Sequence, residues 1–157
     1  MGSWDIQRTS TEIKDTNQSQ WDYPEISHVW GDLFQSKHSL AHSVSQDLYM
    51  RQGMADRFRK RYGAIEEFND QNKTKGEVAV LLRDNRYLYY LITKDRYDDK
   101  PLLHDLEKSL WSMKEYALRN NVHEISLPAI GSGLEGLRWT CVQERIRKVF
   151  EHSGIHI

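Results

Sequence analysis

Two stretches carry most of the chemical promise in this chain. Residues 128–136 read P-A-I-G-S-G-L-E-G, so Gly131, Gly133 and Gly136 fit the string G-x-G-x-x-G. Glycines let successive backbone N–H groups converge on an anion, and a helix starting after them adds a favourable partial charge. The spacing fits a phosphate loop, and it fits a ligand-free strand-to-helix corner as well. A dinucleotide-binding turn fits poorly: it needs an acidic residue about 20 positions further on, ending the next strand. That position falls at 156, one short of the last residue, and no second β-α-β half follows. The other stretch is Y-Y-L-I-T-K at 89–94. A lysine leaving a dry strand into a cleft loses its water, and desolvation frees its amine as a nucleophile. The commoner fate of a lysine in K-D-R is a solvated position. Glu135, inside the glycine loop, is electrostatically odd beside a phosphate. It reads as a general acid or base, or as an exposed loop residue.

The remaining reactive side chains carry less. His38 and His42 are four apart, as are His152 and His156, but neither pair has an H-E-x-x-H context or a carboxylate at ligand spacing, so no metal site is expected. His42 lies within a strand and packs there. Cys141, the single cysteine, has no local His or Asp partner that would make it a nucleophile. Residues 57–61, R-F-R-K-R, form a basic run near Arg51, Lys73 and Lys75. Such a run attracts phosphates, serves nuclear import, or is a solvated helix face.

The elements that must position these groups follow from patterning. Residues 1–25 are polar and without periodicity, and read as a tail with Trp21 and Tyr23 as anchors. Short strands are expected at Ser27–Trp30 and Ser39–Val44. Met54, Phe58 and Tyr62 at four-residue spacing mark a helix over Gly53–Tyr62, with a second short helix over 64–71. Residues 77–83 and 86–93 form a hairpin around Asp84-Asn85, residues that tolerate positive φ. Their near-continuous apolar content implies burial on both faces. Pro101 fits the first turn of a helix whose buried stripe is Leu103, Leu106, Leu110, Met113 and Ala117, ending near Asn120-Asn121. His123–Leu127 is a strand, and a last helix starts near Trp139 with Val142, Ile146 and Val149 inward. Ser153-Gly154 stops it, and Ile155–Ile157 starts a strand. Helices separated by buried strands imply an α/β chain folded as a three-layer α/β/α sandwich around a central mixed sheet.

Composition sets the outer limits. At 157 residues, 38% hydrophobic and 29% charged, the chain suits one domain with one core. The net charge of −1, from 22 basic and 23 acidic residues, demands neither a polyanionic partner nor a membrane. The longest apolar run, Tyr87–Ile92, is far below the roughly 20 residues that span a bilayer. A lone cysteine and the lack of a signal-like start point to an intracellular protein.

Taken together, G-D-L-F at 31–34, S-L-A-H at 39–42, G-E-V-A-V at 76–80, Y-Y-L-I-T-K at 89–94 and P-A-I-G-S-G-L-E at 128–135 resemble the macrodomains. The branch they are most similar to is terminal ADP-ribose protein glycohydrolase, also an O-acyl-ADP-ribose deacylase. The likeness runs from about Ile26 to the C-terminus, over a macrodomain of residues 26–157 whose last strand is cut short. It implies an ADP-ribose pocket along the carboxyl edge of the sheet. By that likeness Asp32 and Leu33 meet the adenine, and Ser45 lies along the cleft. Gly53 and Met54 belong to one phosphate loop, and Ala129, Ile130, Gly131, Ser132, Gly133 and Leu134 form the other. Lys94 corresponds to the branch's nucleophile, and Glu135 to the acid that resolves its lysyl-sugar adduct.

The resemblance further implies release of mono- or terminal ADP-ribose from acidic side chains, with no metal and no organic cofactor. ADP-ribosylated proteins are the implied partners, together with poly-ADP-ribose or ADP-ribosylated nucleic acid. A monomer in the nucleus or cytoplasm is expected. Two departures stand out. The branch usually has Asp where this chain has Glu135, whose stem is one methylene longer. A shift of about 1 Å in a positioned catalyst can cost about 10²-fold, so slower turnover or a persistent adduct is expected. R-Q-G-M at 51–54 also retains one glycine where two are usual. Both favour the alternative of an ADP-ribose-binding module with little or no turnover. A plain nucleic-acid binder using the 57–61 run is disfavoured by the near-neutral charge.

Overall fold

The computed structural model describes residues 3–4, 26, 31–47, 53–63, 65–130 and 136–157. A short antiparallel pair joins β1 (Ser3–Trp4) to β2 (Gly31–Asp32), so two residues of the stretch read as a tail pair with the start of the domain. The main sheet contains β3 (Ser39–Ser45), β4 (Val78–Arg83), β5 (Arg86–Lys94) and β6 (Ile125–Ser126), in the order β4-β5-β3-β6. β3 runs parallel to both β5 and β6, while β4 and β5 form an antiparallel hairpin. The sheet is therefore mixed. Its far side is extended by a parallel bridge between Glu124 and His156.

Helices cover both faces. On one side lie α1 (Gly53–Tyr62) and α2 (Ile65–Asp70), and on the other α3 (Leu103–Arg119) and α4 (Trp139–Phe150). β5 is sandwiched between the layers. Tyr89 and Leu91 pack with Leu106, Leu110 and Met113 of α3 and with Val142 and Ile146 of α4. Leu88, Tyr90 and Ile92 face Phe58 of α1 and Phe68 of α2. Alternate residues of one strand thus serve two cores, as its continuous apolar content requires. Ser109 pins α3 to this strand by donating from its buried hydroxyl to the Ile92 carbonyl at 2.9 Å.

The hairpin turn has Asp84 and Asn85 at φ 56° and 64°, the pair of positive values a type I′ turn needs. Asn121, at φ 57°, ends α3 where expected. Other boundaries moved. Pro101 lies outside α3, because Leu102 is extended (φ −102°, ψ 144°) and the helix starts only after it. The strand expected at His123–Leu127 shortens to Ile125–Ser126. Pro128 lacks the N–H that a continuing ladder would use. The strand expected at Ser27–Trp30 and the anchors Trp21 and Tyr23 fall outside the described residues.

Among the described strands β4 is an edge, and one side chain occupies it. Gln71 donates from its amide nitrogen to the Val80 carbonyl at 2.8 Å and accepts from the Val80 N–H at 2.9 Å. It copies the pairing a further strand would make. Gln71→Ala removes two hydrogen bonds of this kind and is expected to lower unfolding stability by about 1–2 kcal/mol, read from a urea transition.

Candidate functional site

In open α/β sheets ligands settle beyond the carboxyl ends of the strands. Here β3 and β5 end side by side, with Ser45 in register with Lys94 after an irregularity between Val44 and Ser45. Beyond the ladder the two segments stay joined. The Gln46 N–H donates to the Lys94 carbonyl at 2.9 Å, and the Asp47 N–H to the Asp95 carbonyl at 3.1 Å.

The side chains at this junction form one network. Lys94 is half-buried, and its amine donates to the Tyr97 carbonyl at 3.0 Å. Ser45, buried, donates from its hydroxyl to one Asp47 carboxylate oxygen at 2.6 Å. The other Asp47 oxygen accepts from the Tyr97 N–H at 3.0 Å. Asp47 was not singled out from sequence. The local signal was an acid two positions past a strand-ending serine, and the strand end that it faces comes from the β3–β5 register.

A third strand end contributes the glycine loop. β6 continues through Leu127 and Pro128 to Ala129 and Ile130, where the Ile130 N–H donates to the Pro128 carbonyl at 2.7 Å. Ile130 is buried with the α3–α4 core, so the loop leaves the sheet from a fixed point. Gly131, Ser132, Gly133, Leu134 and Glu135 lie outside the described residues. Gly136 has a φ of 86°, which favours glycine, and the chain enters α4 after Arg138. α4 is clamped to α3 by Glu107, which takes Arg145, Lys148 and the Trp111 N–H together. Burial pushes the Glu107 carboxyl up, but these three donors outweigh it and hold its pKa at about 2.

The residues expected at the adenine end sit in a tight turn. Asp32 caps the 3-10 turn Leu33–Gln35 by accepting from the Phe34 N–H at 3.1 Å, and it pairs with Arg57 of α1 at 3.2 Å. Leu33 is fully buried and anchors that turn in the core. Gly53 opens α1, and Met54 is half-buried against the core on that side. The basic run on α1 is answered locally. Asp56 takes Arg59 at 2.6 Å and Lys60 at 3.1 Å, while the Arg57 and Arg61 guanidinium groups lie 4.8 and 5.3 Å from the Phe34 ring centre. Much of the run therefore has a carboxylate or ring partner already.

The histidines do other work. His42 is fully buried, stacked on Phe58 with ring centres 3.7 Å apart and edge-on to Tyr90 at 4.6 Å. Burial pushes its pKa down to about 3. His38 pairs with Glu124 at 3.3 Å. Among the described residues no group of His, Cys, Asp and Glu is arranged to hold a metal ion, and no helix is long and apolar enough to cross a membrane.

The architecture matches solved structures. The macrodomain of Mycobacterium tuberculosis DarG superposes with a TM-score of 0.73, at 21% identity, covering 80% of this chain and 90% of that one. Thermosipho africanus DarTG in complex with ADP-ribose gives a TM-score of 0.71 at 19% identity, covering 80% of this chain and 38% of that one. At such identities the likeness is one of fold, and the fold is that of a macrodomain. No protein-family model matches the chain. The Homo sapiens protein ADP-ribose glycohydrolase OARD1 is 48% identical over 134 residues, which cover 84% of this chain and 88% of that one. The chain belongs to the OARD1, or terminal ADP-ribose glycohydrolase, branch of the macrodomain family, a branch of hydrolases.

Proposed function

We propose that this protein is an ADP-ribose glycohydrolase that frees mono- or terminal ADP-ribose from acidic side chains, with Lys94 as nucleophile. The observation that carries the reading is Lys94 itself, a half-buried amine at a parallel strand end, oriented by the Tyr97 carbonyl and in register with Ser45. Kinship with a protein named for this activity supports it.

In this mechanism the Lys94 lone pair attacks the anomeric carbon of the distal ribose. The bond from that carbon to the substrate's carboxylate oxygen breaks, and the carboxylate leaves as a stable anion. Loss of a proton from nitrogen leaves a lysyl-sugar adduct. Water then adds to the same carbon, the carbon–nitrogen bond breaks, and the amine recovers its proton. Glu135 is the general base and acid of this second half. The glycine loop 131–134 cradles the pyrophosphate, Asp32 holds the adenine end, and no step requires a metal. The same attack would release the acyl group, as its carboxylate, from an O-acyl-ADP-ribose esterified at the anomeric oxygen.

The test is release of ADP-ribose from a glutamate-modified protein, with intact mass followed in parallel. Wild type is expected to turn over, whereas Glu135→Ala is expected to accumulate protein heavier by one ADP-ribose moiety. Glu135→Asp is expected to turn over at least as fast as wild type, since the shorter stem restores the usual acid. The second reading is a binding module, favoured by Glu135 and by the single glycine at 51–54. It predicts that wild type binds ADP-ribose and neither releases it from protein nor gains mass.

A further inference from the structure

We infer that Asp47 is a positioning residue that sets the geometry of the Lys94 amine through the turn at 95–99, an inference that rests on Lys94 being the nucleophile. Each carboxylate oxygen has its own donor. One takes the Ser45 hydroxyl at 2.6 Å, within the short range of O–H···O⁻ bonds, and the other takes the Tyr97 N–H at 3.0 Å. The carbonyl of the same Tyr97 accepts from the Lys94 amine at 3.0 Å. The route from carboxylate to nucleophile is therefore one residue long. It starts on β3 and ends on β5, across the register pair Ser45–Lys94.

The backbone explains why a side chain is needed here. Past the ends of β3 and β5, the Asp47 N–H to Asp95 carbonyl bond still joins the two segments. Past it the turn holds itself by the Asp99 N–H to Arg96 carbonyl bond and by the Arg96 N–H to Asp99 carboxylate bond. Both lie within the turn and neither ties it to the sheet. Lys75 pairs with Asp95 at the start of the turn at 3.7 Å, and the Asp47 carboxylate ties it at Tyr97, whose carbonyl orients the amine. Tyr97 is itself 42% exposed, and the carboxylate bond acts on its backbone N–H. Without the carboxylate the Tyr97 peptide loses the acceptor of its N–H, and its carbonyl loses a fixed orientation. A second consequence concerns Ser45. A hydroxyl has one proton, and here it points at Asp47, so Ser45 offers only acceptor lone pairs elsewhere. It would receive a ribose hydroxyl and turn away from a phosphate oxygen.

Asp47→Ala, Asp47→Asn and Asp47→Glu separate positioning from bulk folding. Asn keeps the volume but presents an acceptor to only one of the two donors, whereas Glu keeps two acceptors. Asp47→Ala and Asp47→Asn are expected to lower kcat for ADP-ribose release by ~10–100-fold, with KM within about threefold of wild type, because small displacements weigh on reacting geometry more than on binding. Asp47→Glu is expected to recover part of the loss. The independent readout is competitive acetylation by acetic anhydride, followed by peptide mass. Labelling of Lys94 relative to the other lysines is expected to rise at least about threefold in the Ala and Asn variants as the amine loses its fixed acceptor.

Unchanged labelling in a folded variant would overturn the inference, whether or not kcat falls, and a kcat loss alone would assign Asp47 to the substrate. Equal losses in kcat, KM and melting temperature for all three variants would reduce Asp47 to a structural residue. If wild type releases no ADP-ribose, the hydrolase reading fails, and the labelling comparison still decides whether Asp47 orients the amine.

Discussion

Lys94→Ala is expected to lower ADP-ribose release by ~10³-fold or more while leaving the affinity for ADP-ribose within a few-fold, because it removes the group that forms the covalent intermediate. A loss of that size corresponds to about 4 kcal/mol of transition-state stabilisation. Folding should hardly register it. The hydrogen bond from the Lys94 amine to the Tyr97 carbonyl joins two groups at the surface and is worth about 1 kcal/mol. Lys94→Arg sharpens the comparison. A guanidinium keeps the positive charge and can still donate to the Tyr97 carbonyl, but it does not deprotonate in proteins and supplies no nucleophilic lone pair. Both variants are expected to be equally inactive and to gain no mass with substrate. Activity in Lys94→Arg at more than a few per cent of wild type would mean that the site needs a cation and not an amine, and the covalent route would fall.

Acid is expected to unfold this protein through His42. Its pKa is about 3 in the fold, against an ordinary 6.5, because burial against Phe58 and Tyr90 excludes the charged form. Above pH 6.5 the ring is neutral whether the chain is folded or not, and it leaves stability unaffected. Between 6.5 and 3 the unfolded chain binds a proton that the native state refuses, so stability falls as pH drops. The loss amounts to ~2 kcal/mol at pH 5 and ~3 kcal/mol at pH 4. The carboxylates held low in the fold, Asp56, Glu77 and Glu107, add losses of the same sign, but from the acid side of their ordinary range. The interval from pH 6.5 to 5 therefore separates His42 from these carboxylates, and the substitution separates it from the other histidines. Urea midpoints measured across it should slope for wild type and flatten for His42→Leu. Parallel curves for the two proteins would show that the ring is not the group responsible.

How much of this was legible in the sequence depends on where each feature is encoded. The hairpin was plain because Asp84-Asn85 states its own turn, and the stripe on α3 because 3.6-residue periodicity is local. Lys94 was legible as the end of a buried strand. Asp47 was not, since its importance comes from the register of β3 against β5, which no local pattern records. The pairing of Asp32 with Arg57 likewise joins residues from separate elements. The basic run at 57–61 left phosphate attraction, nuclear import and a solvated helix face open, because its carboxylate partners lie partly on the same helix and partly on another segment. The shortened β6 shows the opposite case, where a single Pro128 in plain sight outweighed an apolar pattern.

The glutamine lying along β4 has a consequence beyond the free energy of two hydrogen bonds. V-A-V-L-L over 78–82 is the kind of segment that stacks with copies of itself, and Leu82 is already 57% exposed. A bare N–H and C=O at Val80 would give a second molecule its first point of attachment. Gln71 fills that point from within, while Arg83, paired to Glu67, places charge at the strand's end. One side chain of the segment that follows α2 thus closes the point on β4 where a second copy would begin to pair.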